Sequence, residues 1–185
     1  KRVFDILLAS LTATLLLLPI IAIAVLVRIT SDGPAIYWSK RIGKYGRLFM
    51  MPKFRTMKIN TPAVATHLMT DADSHMTPIG RILRSTSLDE VPQVWSILIG
   101  QMSFVGPRPA LFNQHDLIEL RSKAGLDCLT PGLTGWAQVN GRDEISVTDK
   151  VKLDLEYLQK KSMRLDLKIL VITVVKVFRR EEILH

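Results

Sequence analysis

Cysteine is almost missing from the 185 residues: Cys128 stands alone, and no pair of His or Cys has zinc-ligand spacing. A secreted disulfide scaffold and a zinc module are thereby excluded, and a reducing compartment is expected. There is no Walker A sequence and no G-x-G-x-x-G, so P-loop nucleotide hydrolysis and a Rossmann cofactor site find no support. Neither a Ser-His-Asp nor a Cys-His arrangement emerges, because His67, His75, His115 and His185 fall mostly in expected loops or at the terminus. Internal repeats and low-complexity tracts are absent. The chain opens at Lys1 rather than Met, which leaves room for residues upstream.

What is present suits one domain of ordinary size: 48% of the residues are hydrophobic, and 25 Lys+Arg stand against 17 Asp+Glu, a net charge of +8. The excess is local. Residues 28–60 carry a net +7, whereas residues 61–185 balance to zero. A nucleic-acid binder usually spreads its basic footprint over a face of the fold, but here the charge follows directly on the most apolar stretch. That order favours anionic lipid or phosphate beside a membrane, with a solvated basic loop as the plain alternative.

From Ile6 to Val27 no residue is charged, and only Ser10, Thr12, Thr14 and Pro19 interrupt the apolar run. At about 1.5 Å per residue such a segment is long enough to cross a hydrocarbon core of about 30 Å. It exceeds the usual apolar length of a signal peptide, although Lys1-Arg2 and Ala22-Ile23-Ala24 imitate one. Pro19 removes a helical hydrogen bond and crowds the turn before it, so a kink is expected, with neither piece long enough to span. Both flanks are basic, which the positive-inside tendency places on one side. A helix that enters, bends and returns to the cytoplasmic face satisfies both conditions; a kinked single pass is the alternative.

Ala35–Ser39 and Leu48–Met51 read as the arms of a β-hairpin whose glycine-containing turn carries Arg41, Lys44 and Arg47. Residues 60–76 lack periodicity and read as a surface loop. Thr77-Pro78 predicts a helix start, with Ile79, Ile82 and Leu83 inward and Arg81 and Arg84 outward. Ser87-Leu88-Asp89-Glu90 has the capping-box pattern, so a second helix is expected from there to Gly100, with Pro92 tolerable only near its start. Phe104–Pro109 and Thr130–Gly135 hold too much Pro and Gly for regular elements and are expected to be ordered loops. Asp149–Lys161 and Leu165–Phe178 predict two further helices, the last interfacial or core-packed because Lys168 and Lys176 punctuate it.

An acidic pair alone is weak evidence for chemistry, since Asp143-Glu144 and Glu181-Glu182 occur as well. Asp89-Glu90 stands out by context, with Arg84 beside it and Arg108 and Arg142 held on stiff Pro- and Gly-containing backbone, suited to bidentate phosphate recognition. Loop-stapling salt bridges are the plain alternative for those arginines. In a first helical turn the dipole would favour negative charge at Asp89.

Five motifs in order, Lys1-Arg2-Val3-Phe4-Asp5, Pro52–Met57, Arg84–Gln93, Met102–Pro109 and Pro131–Arg142, closely resemble the bacterial sugar transferase family, the monotopic phosphoglycosyl transferases. The resemblance implies transfer of a sugar 1-phosphate from a UDP-sugar to a polyprenyl phosphate, with release of UMP, at the cytoplasmic face of the bacterial inner membrane. It implies an α+β, mainly helical fold: a Pro-broken reentrant membrane helix in residues 1–30, then a short hairpin and amphipathic interfacial helices in one cytoplasmic catalytic domain, residues 31–185. By the same analogy Asp89 is the nucleophile and forms a covalent phosphosugar, and Glu90 completes the dyad and helps Asp89 hold Mg²⁺. Arg84 and Arg142 become phosphate ligands, and Arg108 with its neighbour Pro109, and Gln138, contacts to the nucleotide or its diphosphate. Lys53 and Arg55 become partners of the lipid phosphate. One departure is Leu18 before Pro19, where the family often has Ser.

The resemblance calls for membrane lipid and no nucleic acid as partners, and leaves a homodimer open. The competing function is a non-catalytic membrane-anchored basic module or scaffold, which explains the anchor and the +7 segment but not the dyad. Binding through many phosphates would weaken steeply with salt, whereas UMP release has no place in that reading. No residue is tied to a sugar substituent, so glucose, galactose and N-acetylated sugars stay open.

Overall fold

The computed structural model describes residues 1–62, 73–141 and 145–179. Two helices form from the apolar run, α1 (Arg2–Leu15) and α2 (Leu17–Thr30), bent by 61° at Leu16. The break lies one turn before Pro19 for a steric reason: the proline ring crowds the carbonyl four residues back, that of Leu15, and leaves it without a helical donor. Helical bonding resumes at once, with the Leu16 N–H donating to Thr12 and the Ile20 N–H to Leu16. Hydroxyls of Thr12 and Thr14 donate back to the carbonyls of Leu8 and Ser10 in the turn before the bend, a pattern that favours bending. Among the described residues no single helix is long and apolar enough to cross a membrane; the bent pair is, taken together.

The α1 helix does not stand apart from the rest. Asp5 is buried and accepts from the Ser103 hydroxyl and the Phe104 N–H, while Ala9 is fully buried in the main core with Phe49, Met51, Ile97, Met102 and Ile169. The opposite side of the pair stays exposed at Leu7, Leu11, Leu18, Val25 and Ile29. Lys1 reaches Asp166, Tyr157 and the Val105 carbonyl, and Arg2 reaches the carbonyls of Ile97 and Leu98. The basic flank before the apolar run is therefore tied into the protein.

The expected hairpin forms from β1 (Ile36–Ile42) and β2 (Leu48–Phe54), antiparallel, with Tyr37 opposite Lys53 and Ser39 opposite Met51. A 3₁₀ turn, Lys44–Gly46, closes it, with Lys44 and Arg47 exposed at the tip and Arg41 turned inward. Of the expected 60–76 loop, residues 63–72 lie outside the described residues; Met76 bridges back to Met57.

Downstream the elements are shorter than the sequence suggests. The helix expected at Thr77-Pro78 starts later, as α3 (Gly80–Ser85), because the preceding residues form a turn in which the Gly80 N–H bonds Thr77. Leu83 is buried there, but Ile82 is 60% exposed, contrary to expectation. The Ser87 capping box is not made: Ser87 is left-handed with φ 56 and its side chain caps nothing. A 3₁₀ turn, Leu88–Gln93, follows, and only then α4 (Val94–Leu98). Pro92 explains the order, since a proline is compatible with a tight turn but not with the interior of a longer α-helix.

The two Pro/Gly loops each contain a short strand, against expectation: β3 (Ser103–Val105) and β4 (Gly132–Thr134) pair in parallel. Glycine is what lets them meet, because a Cβ on Gly132 or Gly135 would collide with the backbone of Gly106. Helix α5 (His115–Lys123) between them was not expected. The short α6 (Trp136–Asn140) follows β4, and the two expected C-terminal helices appear as α7 (Val147–Lys160) and α8 (Met163–Arg179). The result is mainly helical with a hairpin and a small parallel pair, an α+β fold as expected.

Candidate active site

The 3₁₀ turn after Ser87 packs on β2, and this contact assembles the charges. Glu90 Oε1 accepts from Lys53 Nζ at 2.7 Å and from Arg108 Nη2 at 3.0 Å, and Lys53 Nζ lies 4.0 Å from Asp89 Oδ2. Arg84, on the last turn of α3, donates from Nε to the Thr56 hydroxyl at 3.0 Å, and its charge acts on both carboxylates. Asp89 is 4% exposed. Its Oδ1 is buried with no hydrogen-bond partner among the described residues, although a buried carboxylate oxygen normally finds one.

Burial pushes the Asp89 carboxyl up to about 6; Glu90 adds to the rise, and Lys53, Arg84 and Arg108 oppose it. The helix N-terminus expected at Asp89 is instead the first turn of a 3₁₀ segment, and desolvation outweighs the influences that favour ionisation there. The Lys53 ammonium is lowered by its own burial, with Glu90 the strongest opposing influence. The cluster is thus a buried carboxylate pair held against three cations from three segments, with one oxygen unspent.

Arg108 sits between two prolines, which have no N–H, so its segment is held through carbonyls. Those of Val105, Pro107, Arg108, Pro109 and Ala110 accept from Tyr157 and Lys1, Gly132 N–H, Arg121, Arg41 and Ile42 N–H in turn. This lattice brings Arg108 to Glu90 from a part of the chain otherwise lacking long elements.

The expected site residues divide. Asp89, Glu90, Lys53, Arg84 and Arg108 are brought together. Arg55 is not among them: it is buried at the end of α2, donates to the Ser31 carbonyl and hydroxyl, and feels Arg28 and Asp32 rather than the dyad. Pro109 is buried and lines a cavity together with Pro107, Ile118 and Arg121. Gln138, on α6, has both amide atoms buried with no hydrogen-bond partner among the described residues, a donor and an acceptor in reserve beside Gly135. Arg142 and the Asp143-Glu144 pair lie outside the described residues, as do Glu181-Glu182, His67 and His185.

Sequence reasoning missed the second layer, Asp5, Asp154, Tyr157 and Asp166, all buried. The signal was present. Asp154 falls on the same helical face as Val151 and Leu158, and Asp5 opens an apolar helix; a charge on an apolar face requires a partner.

Across residues 1–180 the chain matches the family model described as bacterial sugar transferase. It is 40% identical over 190 residues to the UDP-glucose:undecaprenyl-phosphate glucose-1-phosphate transferase of Escherichia coli (strain K12), covering 96% of this chain and 40% of that protein. Over 188 residues it is 39% identical to the uncharacterized sugar transferase EpsL of Bacillus subtilis (strain 168), 99% of this chain and 89% of that one. With the exopolysaccharide production protein ExoY of Rhizobium meliloti (strain 1021) it shares 38% over 193 residues, 94% of this chain and 83% of ExoY. The chain therefore spans well under half the length of some relatives and most of others.

Proposed function

This chain belongs to the bacterial sugar transferase family, and from that premise we propose that it moves a sugar 1-phosphate from a UDP-sugar to a polyprenyl phosphate. The observation that carries the reading is the unspent, buried Oδ1 of Asp89, set in a cationic cluster that suits a diphosphate. Asp89 attacks the sugar-bearing phosphorus, the bond from that phosphorus to the bridging oxygen breaks, and UMP leaves with the electron pair. A phosphate oxygen of the acceptor then attacks the same phosphorus and expels the Asp89 carboxylate, giving polyprenyl diphosphate sugar.

An anionic nucleophile approaching an anionic diphosphate needs compensating charge. Arg84, Arg108 and Lys53 supply three such charges, and Arg142 is assigned as a further phosphate ligand. Gln138 contributes its amide, unpartnered among the described residues, to the nucleotide, and we assign Arg55, near the end of α2, to the lipid phosphate rather than the donor. Mg²⁺ fits the donor set: it is commonly held by one or two carboxylates plus substrate phosphates, and Asp89 Oδ1 is unpartnered while Glu90 Oε1 is shared by two cations. Asp89, seconded by Glu90, would hold it, and it would neutralise charge on the phosphates.

For the anchor, the bent pair α1–α2 enters the cytoplasmic leaflet of the inner membrane and returns. Exposed apolar side chains on α4 (Trp95), just after it (Ile99) and on α8 (Leu167, Val171, Val174, Val175) support an interfacial seat in lipid.

The test is UMP release from a panel of UDP-sugars with Mg²⁺ and a polyprenyl phosphate in detergent. Release with one donor, abolished by chelation and reduced at least about 10³-fold by Asp89→Asn, is expected. A folded, lipid-supplied sample that binds a UDP-sugar yet releases no UMP supports the scaffold instead.

A further inference from the structure

Arg121 and Asp154 form a buried ion pair far along the chain from the dyad, Arg121 on α5 and Asp154 on α7. Asp154 Oδ2 accepts from Arg121 Nε at 3.0 Å and Nη2 at 2.7 Å, and Asp154 is 1% exposed. The remaining terminal nitrogen, Nη1, donates to the Arg108 carbonyl at 2.8 Å. One planar guanidinium thus spans a fixed carboxylate and the backbone of the residue whose own side chain holds Glu90. A lysine ammonium could not reproduce that fork.

Stability is a poor explanation for such a pair. Removing two charges from water costs about as much as their attraction returns, and apolar replacements of similar volume are often neutral or better. Nor does packing alone confine the arginine. A cavity of about 210 Å³ lies alongside it, walled also by Pro107, Pro109, Ile118 and Leu126. What keeps the guanidinium on the Arg108 carbonyl is its hold on Asp154.

We propose that Arg121, anchored by Asp154, is a positioning residue that fixes the Arg108 peptide and thereby aims the Arg108 side chain at Glu90. Arg121 touches no reacting group; it acts through Arg108. The kinetic consequence rests on the transferase reading above, whereas the structural consequence does not.

The experiment uses the full chain in detergent and the double variant Arg121→Met with Asp154→Leu, which leaves no unpaired ion. Three quantities are read: the unfolding temperature, hydrogen exchange at the Gly132 and Ile42 amides, which donate to the Pro107 and Ala110 carbonyls on either side of Arg108, and the kinetics of UMP release. The expected result is an unfolding temperature near that of the parent, exchange at those amides faster by about tenfold, and a donor KM raised roughly 10- to 100-fold. Adding Arg108→Gln to this background should cost less than twofold further, because a mis-aimed Arg108 has little left to lose.

A folded double variant with parental exchange and parental KM overturns the proposal, as does an Arg108→Gln effect that multiplies in full. If the double variant fails to fold, Arg121→Lys decides, since it keeps a charge for Asp154 but cannot serve both acceptors. Its exchange and KM must move in the same directions, and parental values overturn the proposal. If the parent itself releases no UMP, the transferase reading falls, while the exchange comparison still decides the clamp.

Discussion

Asp89 is expected to titrate near 6 because burial outweighs the three cations around it. In the free enzyme, kcat/KM for the donor should therefore fall as pH drops through about 6, since only the ionised carboxylate is nucleophilic. A pH–rate profile flat down to pH 5 would contradict this. The same shift has a consequence for folding. A carboxyl raised above its unfolded value of 3.8 contributes stability that is fully present below that value and is lost as pH rises through about 6. At pH 7 it is a penalty that asparagine does not carry, so Asp89→Asn should unfold at the same or a higher temperature. Its advantage should shrink at pH 5, and differential scanning at the two pH values checks it.

At this scale the dyad and its arginines were legible, because acids and cations on stiff backbone have few structural reasons to gather. The position of Arg55 was not, since β2 ends at Phe54: Lys53 inside the strand meets the turn after Ser87, while Arg55 just past its end meets the end of α2. The buried acids Asp5, Asp154 and Asp166 were signalled as charges on apolar faces, but their partners, Ser103, Arg121 and Tyr157, come from other elements of the chain.

For the elements, the 61° bend is the decisive feature. Pro19 marked it in the sequence, and the crowded Leu15 carbonyl explains why it falls at Leu16. Pro19→Ala should restore the missing hydrogen bond and straighten the pair. With Cys128 replaced by Ser, single cysteines placed near residue 1 and residue 31 in membrane vesicles should label from the same side in the parent and from opposite sides in the Ala variant. Same-side labelling in both would mean that packing of α1 on α4, not the proline, sets the bend. The parallel pair β3–β4 was illegible for an instructive reason: Pro and Gly usually mark loops, yet here Gly106, Gly132 and Gly135 allow two backbones to touch.

Over the whole molecule, the bent helix pair and the charged cluster are one structure. Asp5 on α1 accepts from Ser103 and Phe104 on β3, and β3 leads directly into the Arg108 segment. Asp5→Ala would leave two buried donors unmet, at a cost of about 1–3 kcal/mol each, and should lower the unfolding temperature in detergent markedly. An unchanged temperature would show that α1 is merely tethered. The local excess of charge was visible in the sequence, but its destination was not. Of the basic residues between 28 and 60, Lys53 and Arg41 serve the cluster and its loop and Arg55 the end of α2, while Lys40, Lys44 and Arg47 are exposed.

The central claim is that Asp89 carries the sugar phosphate between donor and acceptor. Its most direct test is the intact mass of the full chain after incubation with the donor that supports UMP release, Mg²⁺ present and acceptor withheld. A mass increase equal to one sugar 1-phosphate less one water, mapped to Asp89, absent from Asp89→Asn and lost on adding polyprenyl phosphate, is the predicted result. A chain that turns over donor and acceptor together, carries no such adduct under rapid quench and stays active as Asp89→Asn would contradict the account.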